Sequence, residues 1–385
     1  MSVPSSSPTG SVLRVGIVGG GQLARMMAEA APRLGVSITV LDPTPGAPAS
    51  EFASQIVGGF DDRAALRELA LDSDVVTLDI EAVSAAALAV LEESGVRVAP
   101  SSRVLGIIQD KFVQKRFLDT HGLPGGRYAA IDDAAALLAF GLPCILKARR
   151  HGYDGRGVKR VKSVEDAAEL LAAGPCMAEE IVDIDKELAI MVARNARGEV
   201  ALYPVVEAEF DAAANILNTI KAPAQVSADI AATCAELATR CVTALDGTGI
   251  FGIEFFLDRG GRVLINEISP RPHNSGHYTI EACATSQFEQ HLRAVTNMPL
   301  GPTTLLRAAA SFNLLGEPDA FGRPVYAGLE EARRAGDIGV HLYGKLSVKP
   351  WRKMGHVTVT ADSGADAAGK AARLKTAIKV GGTGK

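Results

Sequence analysis

Residues 250–279, IFGIEFFLDRGGRVLINEISPRPHNSGHYT, decide how this chain is read. Residues 251–257 and 262–267 are apolar, strand-like runs on either side of Asp258-Arg259-Gly260-Gly261, a turn sequence. Each run carries one carboxylate, Glu254 and Glu267. A charged side chain on a half-buried strand must be paired, hydrated or bound to a cation. Together with Asn266, the two glutamates offer hard oxygen ligands of the kind Mg²⁺ takes alongside phosphate oxygens. Arg271, His273, Asn274, Ser275 and His277 then crowd residues 271–277 with donors, an arrangement suited to stabilising an anion as it forms. The plain alternative is a β-hairpin with two surface glutamates and a polar loop. Either glutamate alone fits that description. The pair followed by the donor cluster fits a site better, because a motif gains force when its context agrees.

The totals set bounds. A chain of 385 residues implies about two to three domains. Hydrophobic residues make up 47% and charged residues 22%, so a sizeable core is available to a globular enzyme. A net charge of −4 gives no electrostatic reason to expect nucleic acid or an anionic membrane as partner. Phosphate ligands must then be caught by local basic clusters. No apolar run approaches the ~18 residues of a spanning helix. The opening MSVPSSSPTGS lacks the charged and apolar regions of a secretory signal. The five cysteines are scattered with no C-x-x-C, as expected of reduced thiols in a cytoplasmic protein.

Outward from the anchor, residues 13–19 (LRVGIVG) read as a buried strand. Gly19-Gly20-Gly21-Gln22-Leu23-Ala24 follows as G-x-G-x-x-A, and Asp42 closes a second strand. This matches a dinucleotide fingerprint, but the same turn can hold another phosphate or ribose at a helix N-terminus. Residues 54–98 alternate strand and helix, with strands at SQIVGG, VVTLDI and GVRVA and helices at 61–71 and 84–94, which gives an α/β, doubly wound, mostly parallel sheet. Glu81 lies just past VVTLDI, on the edge where such sheets bind ligands. Residues 109–121 read as one basic amphipathic helix. In PCILKARR, Lys147 sits inside a strand and is a candidate phosphate contact. Gly152, Gly155 and Gly157 then let backbone N–H groups approach phosphate oxygens. Helix 227–245 precedes the anchor and helix 284–296 follows it. Lys345 and Arg352 flank a Pro-Trp turn as a dense cationic cluster, and residues 361–385 suggest one helix and a frayed end.

The segment N-E-I-x-P-R-x-H-N-S-G-H resembles the metal-and-anion segment of ATP-grasp enzymes. With H-N-S-G-H-Y-T and Ser286-Gln287-Phe288-Glu289, it is similar to that of the N5-carboxyaminoimidazole ribonucleotide synthetase family, and the likeness runs over about residues 13–358. The resemblance implies an ATP-grasp fold in three parts: a preATP-grasp domain over 1–105, a small lid domain over 106–185, and a C-terminal domain over 186–385. It also implies ATP and Mg²⁺ as cofactors. Lys111 would touch the nucleotide phosphates. Glu179, Glu180, Ile181 and Val182 would form the adenine hinge, and Glu187 the ribose ligand, although Glu187 equally fits an edge-strand charge. Gly21, Gln22 and Leu23 would face the substrate nucleotide. Glu81 would bind its amine or ribose, a partial match because Ala82 follows where the family has a polar residue. Tyr153, Asp154 and Arg156 would belong to a mobile lid, and Lys345 with Arg352 would hold the substrate 5′-phosphate.

The implied reaction is ATP- and bicarbonate-dependent carboxylation of 5-aminoimidazole ribonucleotide through carboxyphosphate, in purine biosynthesis. Glu254, Glu267 and Asn266 would hold the metal; Arg271, His273 and Asn274 would hold the intermediate; Asp154 would orient or deprotonate the amine. Small molecules are the expected partners, with no nucleic acid or membrane, and a cytoplasmic homodimer is the expected form. A dehydrogenase built on the Gly19 loop would leave the Glu254/Glu267 hairpin unexplained. A non-catalytic nucleotide-binding module would not need the donor cluster. A formate-using glycinamide ribonucleotide ligase shares much of the architecture, but the H-N-S-G-H and Y-G-K forms argue against it.

Overall fold

The structure is a computed structural model and describes residues 12–150, 152, 157–210, 217–334 and 336–384. Strands β1 (Leu13–Val18), β2 (Val36–Asp42), β3 (Ser54–Val57) and β4 (Val75–Leu78) form a parallel sheet in the order β3-β2-β1-β4. Such strands are covered on both faces and therefore read as unbroken apolar runs; all of β4 is buried. Segment 95–99, expected as a further strand, contributes only a single parallel bridge between Val98 and Val76. Two hydrogen bonds make that contact, Val76 N–H to Arg97 O and Ala99 N–H to Val76 O. Pro100 follows at once and has no N–H with which to extend the ladder.

The second sheet is antiparallel: β5 (Tyr128–Ile131), β6 (Cys144–Ala148), β7 (Val158–Val161) and β8 (Cys176–Glu179), in the order β5-β8-β6-β7. The loop between β6 and β7 holds Tyr153, Asp154, Gly155 and Arg156, which lie outside the described residues. The helix expected over 109–121 is two helices, Ser102–Gln109 and Lys111–Thr120. Asp110 separates them in an extended conformation because its carboxylate caps the second helix, accepting from Phe112 and Val113 N–H.

The third sheet comprises β9 (Ile184–Arg194), β10 (Val200–Leu202), β11 (Val206–Phe210), β12 (Leu217–Ala222), β13 (Gly249–Asp258), β14 (Val263–Ser269), β15 (Ala308–Leu315), β17 (Ile338–Leu342) and β18 (Lys353–Ala361). Its order is β14-β13-β9-β11-β12-β15-β18-β17, with β10 on β9. Helix Ala228–Leu245 covers it with Cys234, Leu237, Ala238, Cys241, Val242 and Leu245, an apolar stripe at helical spacing. Strand β16 (Pro324–Ala327) pairs with β19 (Lys379–Gly382). The chain end is therefore not frayed through residues 379–382. Val380 is buried in the same cluster as Phe312 and Val357, and that burial holds β19 in place. No helix among the described residues is long and apolar enough to cross a membrane.

Helix Gln287–Val295 joins the first sheet to the third. Phe288, Leu292 and Val295 pack into one core with Ile17, Met27 and Val40. His291 on the same helix is buried, and its position fixes its tautomer. Ile250 N–H donates to Nδ1 at 3.1 Å, so the ring hydrogen sits on Nε2 and is donated to Thr77 Oγ1 at 2.7 Å. Burial lowers the pKa of His291 to about 3, so the ring stays neutral. Thr77→Val keeps the shape and leaves the buried Nε2–H unpaired. Denaturant unfolding should show a loss of roughly 1–3 kcal/mol; a loss below about 0.5 kcal/mol, the range of neutral surface changes, would rule out this staple.

Candidate active site

The centre of the site is an irregularity in one ladder. On β13 and β14, Glu254 faces Glu267, but the next pair is Phe255 with Ile265, leaving Asn266 as an extra residue. A β-bulge of this kind breaks the alternation of side chains and re-aims them. Ile265 and Ile268 remain buried, while the adjacent Asn266 and Glu267 are both half-buried on the accessible side. One bulge therefore brings Asn266, Glu267 and Glu254 into reach of one another.

Three lysines face these oxygens. Lys111 Nζ lies 2.5 Å from Glu267 Oε1. Lys147 Nζ lies 2.5 Å from Glu179 Oε2 and donates to Asn266 Oδ1 at 3.3 Å. Lys115, absent from the sequence reading, is buried; it reaches Glu179 Oε1 at 3.2 Å and donates to Gly125 O and Ile265 O at 2.8 and 3.0 Å. The helix bearing Lys111 and Lys115 is thus not a solvated surface helix. Burial works against ionisation of Glu267, but Lys111, then Lys147 and His273, outweigh it and lower its pKa. The same balance lowers Glu179, where Lys147 and Lys115 prevail over burial. Glu254 goes the other way. Burial, with Glu267 and Glu187 as neighbouring carboxylates, raises it to about 7. Glu187 on β9 is also raised to about 7, by burial.

That imbalance tests the site for a cation. Glu254 is short of positive charge where two other carboxylates approach it. No set of three or more His, Cys, Asp or Glu among the described residues is arranged to hold a metal ion. Two carboxylates and an amide nevertheless suit Mg²⁺, which keeps several waters and shares its remaining positions with phosphate oxygens.

The donor loop lies against this hairpin. His273 Nδ1 lies 2.8 Å from Ser275 Oγ, and its Nε2 lies 3.6 Å from Glu254 Oε1. Asn274 opens the short 3₁₀ turn Asn274–Gly276. Arg271 reaches back to the first sheet, 2.9 Å from Glu81 Oε1. Glu254, Arg271 and His273 share one stretch of sequence, and the fold brings Glu81 to them from a distant segment.

The glycine turn differs from a free phosphate cradle. Gly20 N–H donates to Asp42 Oδ2 at 2.9 Å, and Gly21 and Ala24 N–H donate to the two oxygens of Asp79 at 2.8 and 3.0 Å. A pyrophosphate at this helix N-terminus would need the donors that these carboxylates already hold. The Leu23 side chain is buried in the core, which leaves only its backbone for a ligand. Residues 179–182 leave β8 beside Arg127: Glu180 N–H donates to Arg127 O, and Arg127 N–H donates to Glu180 Oε1, both at 3.0 Å. Ile181 beside them is exposed apolar surface. Lys345 donates to Lys353 O at 2.6 Å, and Arg352 donates to Ser347 O at 2.8 Å, so both cations are held on one loop between β17 and β18. Gly152 and Gly157 flank residues 153–156, which the resemblance assigns to a lid and which lie outside the described residues.

Lys115, Asp79, Gln287 and the Asp110–Arg149 pair were not read from the sequence as parts of the site. Asp110 accepts from Arg149 Nε and NH2 at 3.0 and 2.7 Å and so ties the Lys111 helix to β6. The one usable signal was spacing: Lys111 and Lys115 are four apart and share a helix face.

Comparison with known proteins gives a consistent family. The ribonucleotide synthetase preATP-grasp domain matches residues 12–109, the ATP-grasp domain residues 116–288, and the phosphoribosylaminoimidazole carboxylase C-terminal domain residues 309–370. The chain is 40% identical over 377 residues to the N5-carboxyaminoimidazole ribonucleotide synthase of Synechococcus elongatus, covering 95% of this chain and 94% of that protein. The crystal structure of the Thermotoga maritima N5-carboxyaminoimidazole ribonucleotide synthetase superposes with a TM-score of 0.89 at 47% identity, covering 96% and 99% of the two chains. The Aspergillus clavatus synthase, solved with ADP and 5-aminoimidazole ribonucleotide, gives a TM-score of 0.85 at 36% identity, covering 94% and 98%.

The raised Glu254 carries a pH signature. Its pKa is about 7 in the fold against 4.5 for a free glutamate. A raised acid contributes stability that is fully present below the unfolded pKa and is lost as pH rises through the folded one. Glu254→Gln removes that loss. Without Mg²⁺, the variant should gain on the order of 1 kcal/mol over wild type between pH 5 and pH 8. Thermal melts across that range read it; a pH-independent difference would count against the buried-charge account.

Proposed function

This chain belongs to the N5-carboxyaminoimidazole ribonucleotide synthase family of ATP-grasp enzymes, and on that premise we propose that it carboxylates 5-aminoimidazole ribonucleotide with ATP and bicarbonate in purine biosynthesis. The observation that carries the assignment to residues is the bulged Glu254–Asn266–Glu267 hairpin, flanked by Lys111 and Lys147 and faced by Arg271 and His273. The division into 1–105, 106–185 and 186–385 remains our working description of the three domains.

The chemical problem is that bicarbonate is a poor electrophile. Transfer of the γ-phosphoryl group makes carboxyphosphate, a mixed anhydride that the substrate amine can attack, directly or as released CO₂. Charge accumulates on the transferring group, so catalysis rests on positioning and electrostatics. Lys111 and Lys147 supply two ammonium groups for the ATP phosphates, and both are held in place by carboxylates before ATP arrives. Glu254, Glu267 and Asn266 are the residues that would hold Mg²⁺, which supplies neutralisation of the phosphate oxygens when bound. Residues 179–182 take adenine, with Ile181 as the apolar contact, and Glu187 takes the ribose. Arg271, His273 and Asn274 hold carboxyphosphate, and Glu81 on Arg271 carries that site to the substrate side. Gly21, Gln22 and Leu23 face the nucleotide substrate through their backbone. Lys345 as a point charge and Arg352 as a planar fork take its 5′-phosphate. Gly152, Tyr153, Asp154, Gly155, Arg156 and Gly157 close over the phosphates to keep water from the anhydride, with Asp154 on the amine. The same proposal takes the working form as a cytoplasmic homodimer acting on small molecules alone, and sedimentation tests the dimer.

ADP release should require both 5-aminoimidazole ribonucleotide and bicarbonate, and formate with glycinamide ribonucleotide should not replace them. ADP release independent of bicarbonate would overturn the reaction. Glu267→Gln should abolish turnover at every Mg²⁺ concentration that supports wild type, and near-normal activity at ordinary Mg²⁺ would remove the metal assignment. Lys345→Ala and Arg352→Ala should each raise KM for the aminoimidazole nucleotide about ten- to a hundredfold, as loss of a charged hydrogen bond does, with KM for ATP little changed. An equal rise in both constants would move these residues to the ATP site or to stability.

A further inference from the structure

Helix Gln287–Val295 begins with a side chain that no strand or cap requires. Gln287 is fully buried. Its Oε1 accepts from His273 N–H at 2.9 Å and its Nε2 donates to His273 O at 2.8 Å. The amide thus pairs with both backbone groups of a single residue, as a neighbouring strand would. Because His273 fixes both ends, the amide cannot flip. Its second N–H therefore faces His277 Nδ1, 3.1 Å away, as a donor. His277 must accept there and carry its own hydrogen on Nε2. Burial, followed by the charges of His273, His341, Lys353 and Arg271, holds the His277 pKa well below the ordinary value, in keeping with a neutral ring.

The start of the helix is tied to the same loop through its backbone. The main-chain N–H of Gln287 donates to Thr279 Oγ1 at 2.8 Å, and Thr279 Oγ1 donates to Gly276 O at 2.6 Å. A Cβ at Gly276 would stand 2.4 Å from Gln287 Oε1 and 2.8 Å from Met191 Cγ, so the loop at 276 lies directly on the amide. His277 continues the contact outward. Its ring stacks on His356 at 4.4 Å, His356 Nδ1 lies 3.0 Å from Tyr343 Oη, and Lys345 sits over the Tyr343 ring at 5.4 Å.

We infer that Gln287 is the positioning residue of the carboxylation site: it holds the His273–Asn274 backbone against Glu254 and sets the His277 tautomer on the path to Lys345. The inference rests on the proposed role of residues 271–274 in holding carboxyphosphate. Gln287 touches no reacting atom. Its effect passes through His273, so its loss should damage the intermediate step and spare ATP binding.

Gln287→Met, close in size and without donor or acceptor, removes both bonds to His273. Gly276→Ala displaces the same amide by a different route, at a residue whose φ is not left-handed. Each variant is assayed for ADP release, for ¹⁴C-bicarbonate incorporation and for KM of both nucleotides, well below its own melting temperature. The expected result is a kcat about ten- to a hundredfold lower with KM for ATP within about twofold, and ADP release exceeding carboxylation where wild type keeps them equal. Where Gln287→Met does not fold, Gly276→Ala gives the same reading. A lower melting temperature with unchanged kcat and unchanged coupling would make Gln287 a purely structural residue and overturn the inference. Parallel changes in kcat and KM for ATP would overturn it too. Wild-type ADP release without dependence on bicarbonate is a distinct result: it overturns the functional reading, and the inference with it.

Discussion

The grip of one helix on one bulged strand is the constraint on which the rest of the site depends. From the Lys111–Thr120 helix, Lys111 pairs with Glu267, Gln114 accepts from Ile268 N–H at 3.1 Å, and Lys115 donates to Ile265 O. Three side chains on one helical face thus address the residues before, within and after the bulge. A bulge stores its extra residue only if its unpaired backbone groups find partners elsewhere. Here Lys115 and Gln114 are those partners. Asp110 and Arg149 tie the same helix to the second sheet, so Lys111, Lys115 and the bulged Glu267 are positioned by one element.

Charge sets the second constraint. Lys111, Lys115 and Lys147 are packed among Glu179, Glu187, Glu254 and Glu267, with the carboxylates in excess. Glu179 and Glu267 sit with lysines and are held ionised, while Glu254 and Glu187 are pushed up to about 7. A cluster left in this state is incomplete in cation, and its incompleteness is concentrated at Glu254. On the proposed function, ATP would bring more negative charge into the same space, which two ammonium groups and a divalent ion together would offset.

The first sheet shows how one sequence pattern serves different ends. Glycines at 19–21 allow the close turn, but the helix N-terminus is capped internally by Asp42 and Asp79. Burial raises the Asp79 pKa, against the lowering effect of Arg271 and of the Gly21 and Ala24 N–H groups. Asp79, Glu81 and Arg271 thereby link the glycine turn to the loop at 271–277.

The sequence by itself determined the α/β class, the strands of the Glu254/Glu267 hairpin and the identity of the residues that meet there. Those follow from local signals: apolar runs, glycine turns, and charged residues where burial makes charge costly. Tertiary structure decided what local signals cannot encode. The bulge at Asn266 is a register relation between two strands, invisible in either one alone. Asp110 splits helix 109–121 because its carboxylate finds Arg149 on another sheet as well as the N–H groups it caps. Segment 95–99 falls short of a strand because Pro100 ends its ladder after a single bridge to Val76, and residues 379–382 become a strand because β16 lies alongside. Nothing local to Lys115 or Gln287 says which backbone groups each will pair. Their roles arise from partners 150 and 14 positions away, and chain distance carries no information about which backbone groups a fold will leave to be paired.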